Sequence, residues 1–189
     1  MEIKRVSSPF GNDTVRGLRS GEQILLSGTI YTARDAAHMR LLELAREKKQ
    51  LPIPIEGAVI YYVGPTPEKP GHIIGSAGPT SSYRMDPVAP TLISLGLGGM
   101  IGKGMRSAKV IEAIKEYGAV YLGALGGAGA LLARAVKSSE VIAYEDLGAE
   151  AIRKLVVKDM PLTVVIDTLG NDLYKQGRES YLRWKDGGK

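Results

Sequence analysis

Thr80, Ser81 and Ser82 stand together in the segment GPTSSYRMDP, with Arg84 and Asp86 just beyond them. Hydroxyls beside an arginine suit two kinds of chemistry. The planar guanidinium fork can hold both oxygens of a carboxylate, and a hydroxyl near cations can pass a proton. The plainer alternative is a polar connector in which the hydroxyls cap the turn begun by Gly78-Pro79. Further cations occur where helices are expected to begin: Arg34 near the start of TARDAAHMRLLELAREKKQ, and Lys103 with Arg106 ahead of AKVIEAIKEYG. A cation there opposes the helix dipole by ~0.3–1 kcal/mol, a small cost on an exposed surface. A bound anion reverses the sign, because helix N-termini and cationic side chains then cooperate. Arg34, Thr80, Arg84 and Lys103 thus form a candidate set for a small dicarboxylate, with scattered surface charge as the alternative.

Lys103 lies in GLGGMIGKG, where five of nine residues are glycine, so the backbone there can approach a ligand or take positive φ. The phosphate-binding loop motif fails, because Leu97 stands where its first glycine belongs and Gly104 where Ser or Thr is required. The dinucleotide fingerprint fails as well, with Ile101 after Gly96-x-Gly98 and Leu132 after Gly127-x-Gly129. Phosphate cradling is therefore disfavoured.

These residues must be positioned by a mixed set of elements. TVRGLRSGEQILLSGTIYT reads as short strands separated by turns. A helix follows, with Ala37, Leu41, Leu44 and Ala45 on one face; Thr32 and Asp35 form a capping box, and Pro52 and Pro54 end the segment. GAVIYYVG and GHIIGSAG read as strands joined by PTPEKP, and PVAPTLISLG as a short helix. MRSAKVIEAIKEYG is the clearest helix, with Val110, Ile111, Ile114 and Tyr117 on one face and Gly118 at its C-terminal cap. AVYLGA is a strand and GAGALLARAVKS a helix. EVIAYEDLG, RKLVVKD and PLTVVIDTLG close as strands around a helical turn at AEAIRK. The order is mixed α/β without strict alternation. Residues 1–189 suit a single domain, with 171–189 as a docking or partly ordered tail.

Composition bounds the function. Apolar residues make up 44% and charged residues 24%, ordinary globular values, and no apolar run approaches the ~18 residues of a membrane helix. The N-terminus lacks a secretory apolar core, so the chain is expected in the cytosol. The net charge of +5 is spread among acids, without a basic block, which argues against nucleic acid. There is no cysteine, and there are two histidines, His38 and His72. The chain thus offers no thiolate nucleophile or iron–sulfur ligand and no self-contained metal site. Among other residues, His38 reads as exposed, with support of Arg34 as the alternative. Asp86 reads as turn chemistry before Pro87, and Glu145 and Asp146 as a solvated loop.

The blocks GTIYTARDAAHMR, GPTSSYRMDP, GGMIGKG, LGALGGAGALLA and VIAYEDLGAEAIRKLVVKDMPLTVVIDTLGNDLY together resemble the beta subunit of a class I, iron–sulfur-dependent fumarate hydratase, over about residues 10–175. Tartrate dehydratase beta subunits share the framework. The resemblance implies a swivelling three-layer β/β/α domain. It also implies an alpha subunit that carries a [4Fe–4S] cluster on three cysteines, this chain binding no cofactor or metal alone. The assembly would be a hetero-oligomer that hydrates fumarate reversibly to (S)-malate, with no nucleic-acid or membrane partner. Residue by residue it implies Thr80 as catalytic base and Arg34, Arg84 and Lys103 as substrate contacts. Ser81 stands where many relatives have a second threonine, and keeps the hydroxyl. The alternatives are a tartrate dehydratase beta subunit and a non-catalytic anion-binding module.

Overall fold

The computed structural model describes residues 3–187, so the first two residues and the last two of the expected tail lie outside it. The chain runs β1 (Lys4–Ser8), α1 (Asn12–Gly17), β2 (Gln23–Thr32), α2 (Asp35–Arg46), β3 (Val59–Tyr61), α3 (Ala89–Ser94), β4 (Gly99–Gly102), α4 (Ala108–Tyr117), β5 (Val120–Gly123), α5 (Gly129–Ala135), β6 (Val136–Ala143), β7 (Ile152–Ile166) and α6 (Leu173–Gly187). Short 3-10 turns occupy Ser82–Met85 and Glu145–Glu150.

The three short strands β3, β4 and β5 are apolar on both faces, the pattern of strands covered on each side. Alternate residues enter two separate cores. Ile60, Tyr62, Met100 and Tyr121 pack with Leu41 of α2, Leu92 of α3 and Val110 and Ile114 of α4. Val59, Tyr61, Ile101, Val120 and Leu122 point the other way, against Leu155, Val157, Leu162 and Val164 of β7. β1 to β5 pair in parallel. β7 is antiparallel to β2, β5 and β6, so the pairings β2–β3–β4–β5–β7 return to β2. The parallel strands therefore end together on one side, where the connections to the helices begin.

The structure is mixed α/β, as expected, but several elements differ. Thr14–Gly17 is helical in α1 rather than a strand, its Val15 buried against the β7-side core. Gln23–Thr32 is one strand, because Ser27 and Gly28 form a bulge rather than a turn. The Ser27 hydroxyl accepts the N–H of Asp159, and Gly28, at φ 107°, leaves no room for a Cβ beside the Ser8 carbonyl. Residues 71–78 form no strand. They belong to a loop closed by two Thr66–Ser76 hydrogen bonds and tied to the body by the Tyr61 hydroxyl on the Ala77 carbonyl. The expected turn at AEAIRK is shifted, since the 3-10 turn ends at Glu150 and Ile152 already starts the 15-residue β7. α4 and its left-handed Gly118 cap (φ 76°) match the expectation, although Tyr117 is half exposed. α6 occupies most of the expected tail. Leu173 packs on the helix-side core while Tyr181 and Trp184 are exposed. Among the described residues no helix is long and apolar enough to cross a membrane.

Candidate functional site

The four sequence-selected residues lie beyond the C-terminal ends of β2, β3 and β4, the side on which the parallel strands hand over to their connections. Thr80 is held through its backbone. Its N–H donates to the Tyr62 carbonyl at 2.7 Å and its carbonyl accepts from Lys103 N–H at 3.3 Å. Ser82 N–H then donates to the Lys103 carbonyl at 2.9 Å, and Ser81 pairs with Lys103 in a one-residue parallel bridge. The Thr80 segment thus adds itself to the end of β4. This close approach requires Gly102, because a Cβ there would overlap the Ser82 hydroxyl. Thr80 is half-buried and Lys103 exposed, the Lys103 stem leaning toward Gly126 after β5.

Arg34 and Arg84 meet at Asp35. Arg84, on the 3-10 turn, donates from Nε and Nη2 to the two Asp35 oxygens at 2.8 and 2.5 Å. Arg34 Nε lies 3.3 Å from Asp35 Oδ2 and 3.3 Å from Glu150 Oε1, its guanidinium resting over Gly64. The side-on contact with Asp35 leaves the Nη1 edge of Arg84 free for another carboxylate. Burial pushes the Asp35 carboxyl up, but bonds from its own N–H, Arg84 and Arg34 outweigh it and hold it below the usual carboxylate range. The expected Thr32–Asp35 capping box is absent. Arg34 is the N-cap, Ala36 N–H is capped by Glu150 Oε2 at 2.8 Å, and the Thr32 hydroxyl bridges Ala151 and Arg153 instead.

Three residues correct their sequence readings. His38 is buried at 1% exposure, its ring edge-on to Tyr62 at 5.1 Å. Its Nδ1 faces the Arg34 carbonyl at 3.1 Å and Nε2 is buried without a partner among the described residues. Asp86 is more than turn chemistry: one oxygen accepts Arg106 Nε at 2.6 Å and the other Ser107 N–H at 2.6 Å. Arg106, expected at an exposed helix start, is buried. Glu145 and Asp146 are exposed as expected, with Asp146 paired to Arg40. Asp35 and Glu150 lie outside the sequence-selected set, since Asp35 meets Arg84 across 49 positions and Glu150 meets the start of α2 across 114, separations that leave no local signal.

Burial lowers the His38 pKa to about 4. The unfolded imidazole, with a pKa near 6.5, binds a proton that the folded one refuses, so stability falls as pH drops from about 6.5 to about 4, by about 3 kcal/mol in all. His38→Phe is expected to flatten this part of the profile. Urea unfolding between pH 7 and 4.5 checks it, and an unchanged slope contradicts it.

A cavity of about 600 Å³ lies to one side, between the 66–76 loop and α5, and none of the four residues lines it. Tyr83, Met105 and Leu125, the chain neighbours of Arg84, Gly104 and Gly126, carry exposed side chains. Three cations, two carboxylates that orient two of them, and one hydroxyl can bind a dicarboxylate and exchange a proton with it. With no cysteine in the chain, an iron–sulfur cluster would find no thiolate ligand here.

Residues 3–177 match the family model described as Fumarase C-terminus. The chain is 43% identical over 157 residues to "Fumarate hydratase class I, anaerobic" of Escherichia coli (strain K12), covering 82% of this chain and 28% of the relative. It is 36% identical over 168 residues to "Putative L(+)-tartrate dehydratase subunit beta" of Methanocaldococcus jannaschii, covering 86% of each. A 32% identity over 182 residues relates it to "Putative fumarate hydratase class I" of Geobacillus stearothermophilus, with 94% and 34% covered. The chain thus spans about a quarter to a third of the fumarate hydratases and most of the tartrate dehydratase subunit. The family model covers almost the whole chain, and the chain belongs to the Fumarase C-terminus family.

Proposed function

We propose that this chain is the beta subunit of a hydro-lyase that interconverts fumarate and (S)-malate, and that it supplies the dicarboxylate contacts and the base. The observation that carries this reading is the backbone pairing of Thr80 with Lys103 beside the Arg34–Asp35–Arg84 cluster. The two cores on either side of the parallel strands support a swivelling three-layer β/β/α domain. The exposed apolar side chains of Tyr83, Met105 and Leu125, close in the chain to the candidate residues, support a companion chain that closes over the site.

In this reading Arg84 and Arg34 hold one substrate carboxylate and Lys103 the other. In the dehydration direction the Thr80 oxygen takes the proton from the carbon beside a carboxylate. The C–H pair becomes the new C=C bond, the neighbouring C–O bond breaks with its electron pair on the departing hydroxide, and return of the proton from Thr80 makes that hydroxide water and restores the base. The cations stabilise the negative charge that builds on the carboxylate during proton removal. They also favour the ionised form of the Thr80 hydroxyl, which is otherwise a poor base. A [4Fe–4S] cluster on an alpha subunit would supply a Lewis acid for the departing oxygen.

The near full-length match to a tartrate dehydratase subunit favours L-tartrate as the second reading. Anaerobic co-expression with an alpha-type chain carrying three cysteines, followed by fumarate, malate and tartrate assays, decides between them. Fumarate hydration is the expected result. A cluster-loaded complex that turns over none of the three overturns the proposal.

A further inference from the structure

Arg106 lies beneath this site with no exposed side-chain surface. Its Nε donates to Asp86, its Nη1 faces Met100 Sδ at 3.5 Å, and its Nη2 is buried without a partner among the described residues. Its guanidinium lies 5.4 Å from the ring centre of Tyr62 and 5.0 Å from that of Tyr121. Burying an arginine costs several kcal/mol. A single carboxylate and two aromatic faces leave that cost partly uncompensated. An apolar side chain of similar length would fill the same space with less penalty, so packing alone does not account for the charge.

The two tyrosines stacked on Arg106 are also the two that hold the site. The Tyr62 carbonyl receives the Thr80 N–H. The Tyr121 hydroxyl lies 2.9 Å from both the Gly104 carbonyl and the Ser82 hydroxyl. A carbonyl only accepts, so Tyr121 donates to Gly104 and receives the Ser82 proton. The segment after Thr80 and the segment after Lys103 are thereby tied to one ring. Asp86 closes the circuit, joining the end of the Thr80 turn to Arg106 and to the N–H of Ser107, the N-cap of α4.

We propose that Arg106, oriented by Asp86 and clamped between Tyr62 and Tyr121, is a positioning residue that sets the Thr80 segment against Lys103. It touches no substrate. Its role in turnover rests on the hydro-lyase reading; its role in fixing the two segments does not.

Two variants test this. Arg106→Met combined with Asp86→Asn removes the charge pair but keeps an acceptor for Ser107. Tyr121→Phe keeps the ring and removes the tie between Ser82 and Gly104. Amide exchange at Thr80 and Ser82 is measured by NMR on the chain, and kcat and KM on the cluster-loaded complex. Both variants are expected to speed exchange at these amides at least about tenfold. Both should also lower kcat by about 10–100-fold at nearly unchanged KM, the size of effect that a ~1 Å misplacement of a reacting group produces. A folded variant with wild-type exchange and with kcat within about twofold of wild type overturns the proposal. If the double variant fails to fold, Tyr121→Phe decides on the same criteria. A wild-type complex without hydro-lyase activity sinks the functional reading, while the exchange measurement still decides whether Arg106 and Tyr121 hold the two segments.

Discussion

Thr80→Ala is expected to lower kcat of the assembled enzyme by about 10³-fold, within the ~10²–10⁴ that a positioned acid–base group contributes. The folded structure explains why the loss should be confined to chemistry. Both hydrogen bonds that seat residue 80 come from its backbone, to Tyr62 and from Lys103, and alanine keeps them. Melting temperature and co-elution with the alpha chain should therefore stay close to wild type, and KM should change little because Arg34, Arg84 and Lys103 remain. Thr80→Ser restores a hydroxyl and should recover much of the rate. A Thr80→Ala enzyme within about tenfold of wild-type kcat would remove Thr80 from the role of base.

Arg84→Ala is expected to act on binding instead, raising KM for the dicarboxylate by about 10²-fold, the ~3 kcal/mol typical of a lost charge-assisted hydrogen-bond pair. The value of Arg84 depends on Asp35. The two-pronged contact holds the guanidinium side-on and leaves its Nη1 edge free. Asp35→Asn keeps one acceptor and loses the charge, so Arg84 gains rotamers and KM should rise by about tenfold, roughly 1.4 kcal/mol. Because Asp35 works through Arg84, adding Asp35→Asn to Arg84→Ala should cost much less than the single effect predicts. The four steady-state KM values settle this. Strict additivity would mean that Asp35 acts independently of Arg84.

These contrasts show which features a sequence can carry. Thr80 and Arg84 share one turn, so their spacing is visible in the chain. The α4 face of Val110, Ile111 and Ile114 is visible for the same reason, since one helix sets its own period. Arg106 and Asp86 are twenty residues apart and belong to different elements, and only the packed fold places one against the other. Asp35 pairs with a turn 49 residues away, and Glu150 caps a helix 114 residues earlier. His38 reads as exposed because a polar residue on a helix is usually solvated, whereas α2 turns this one onto Tyr62. The Ile73–Ile74 run suggested a strand, yet a strand exists only where a neighbour supplies partners, and the 66–76 loop pairs mainly with itself. Asp159 and Pro161 suggest a break between two strands where the fold has the single β7. The bulge opposite Ser27 absorbs Asp159, at φ 51°, and Pro161 pairs opposite Leu25 without interrupting the strand.

The course of β7 has a consequence for the order in which the protein can be made. Gln23 of β2 meets Thr163 across 140 residues of chain, and β5 also depends on this late strand for its second neighbour. Contacts so distant close slowly, because the loop entropy is lost before they form. While a ribosome is still producing residues 1–150, β2 and β5 have unfilled edges and the β7-side core has no opposite wall. Such a nascent chain exposes apolar strands that associate readily with other chains. All four candidate residues have been synthesised by position 103, but their placement waits for residues 152–166, a strand that supplies none of those side chains.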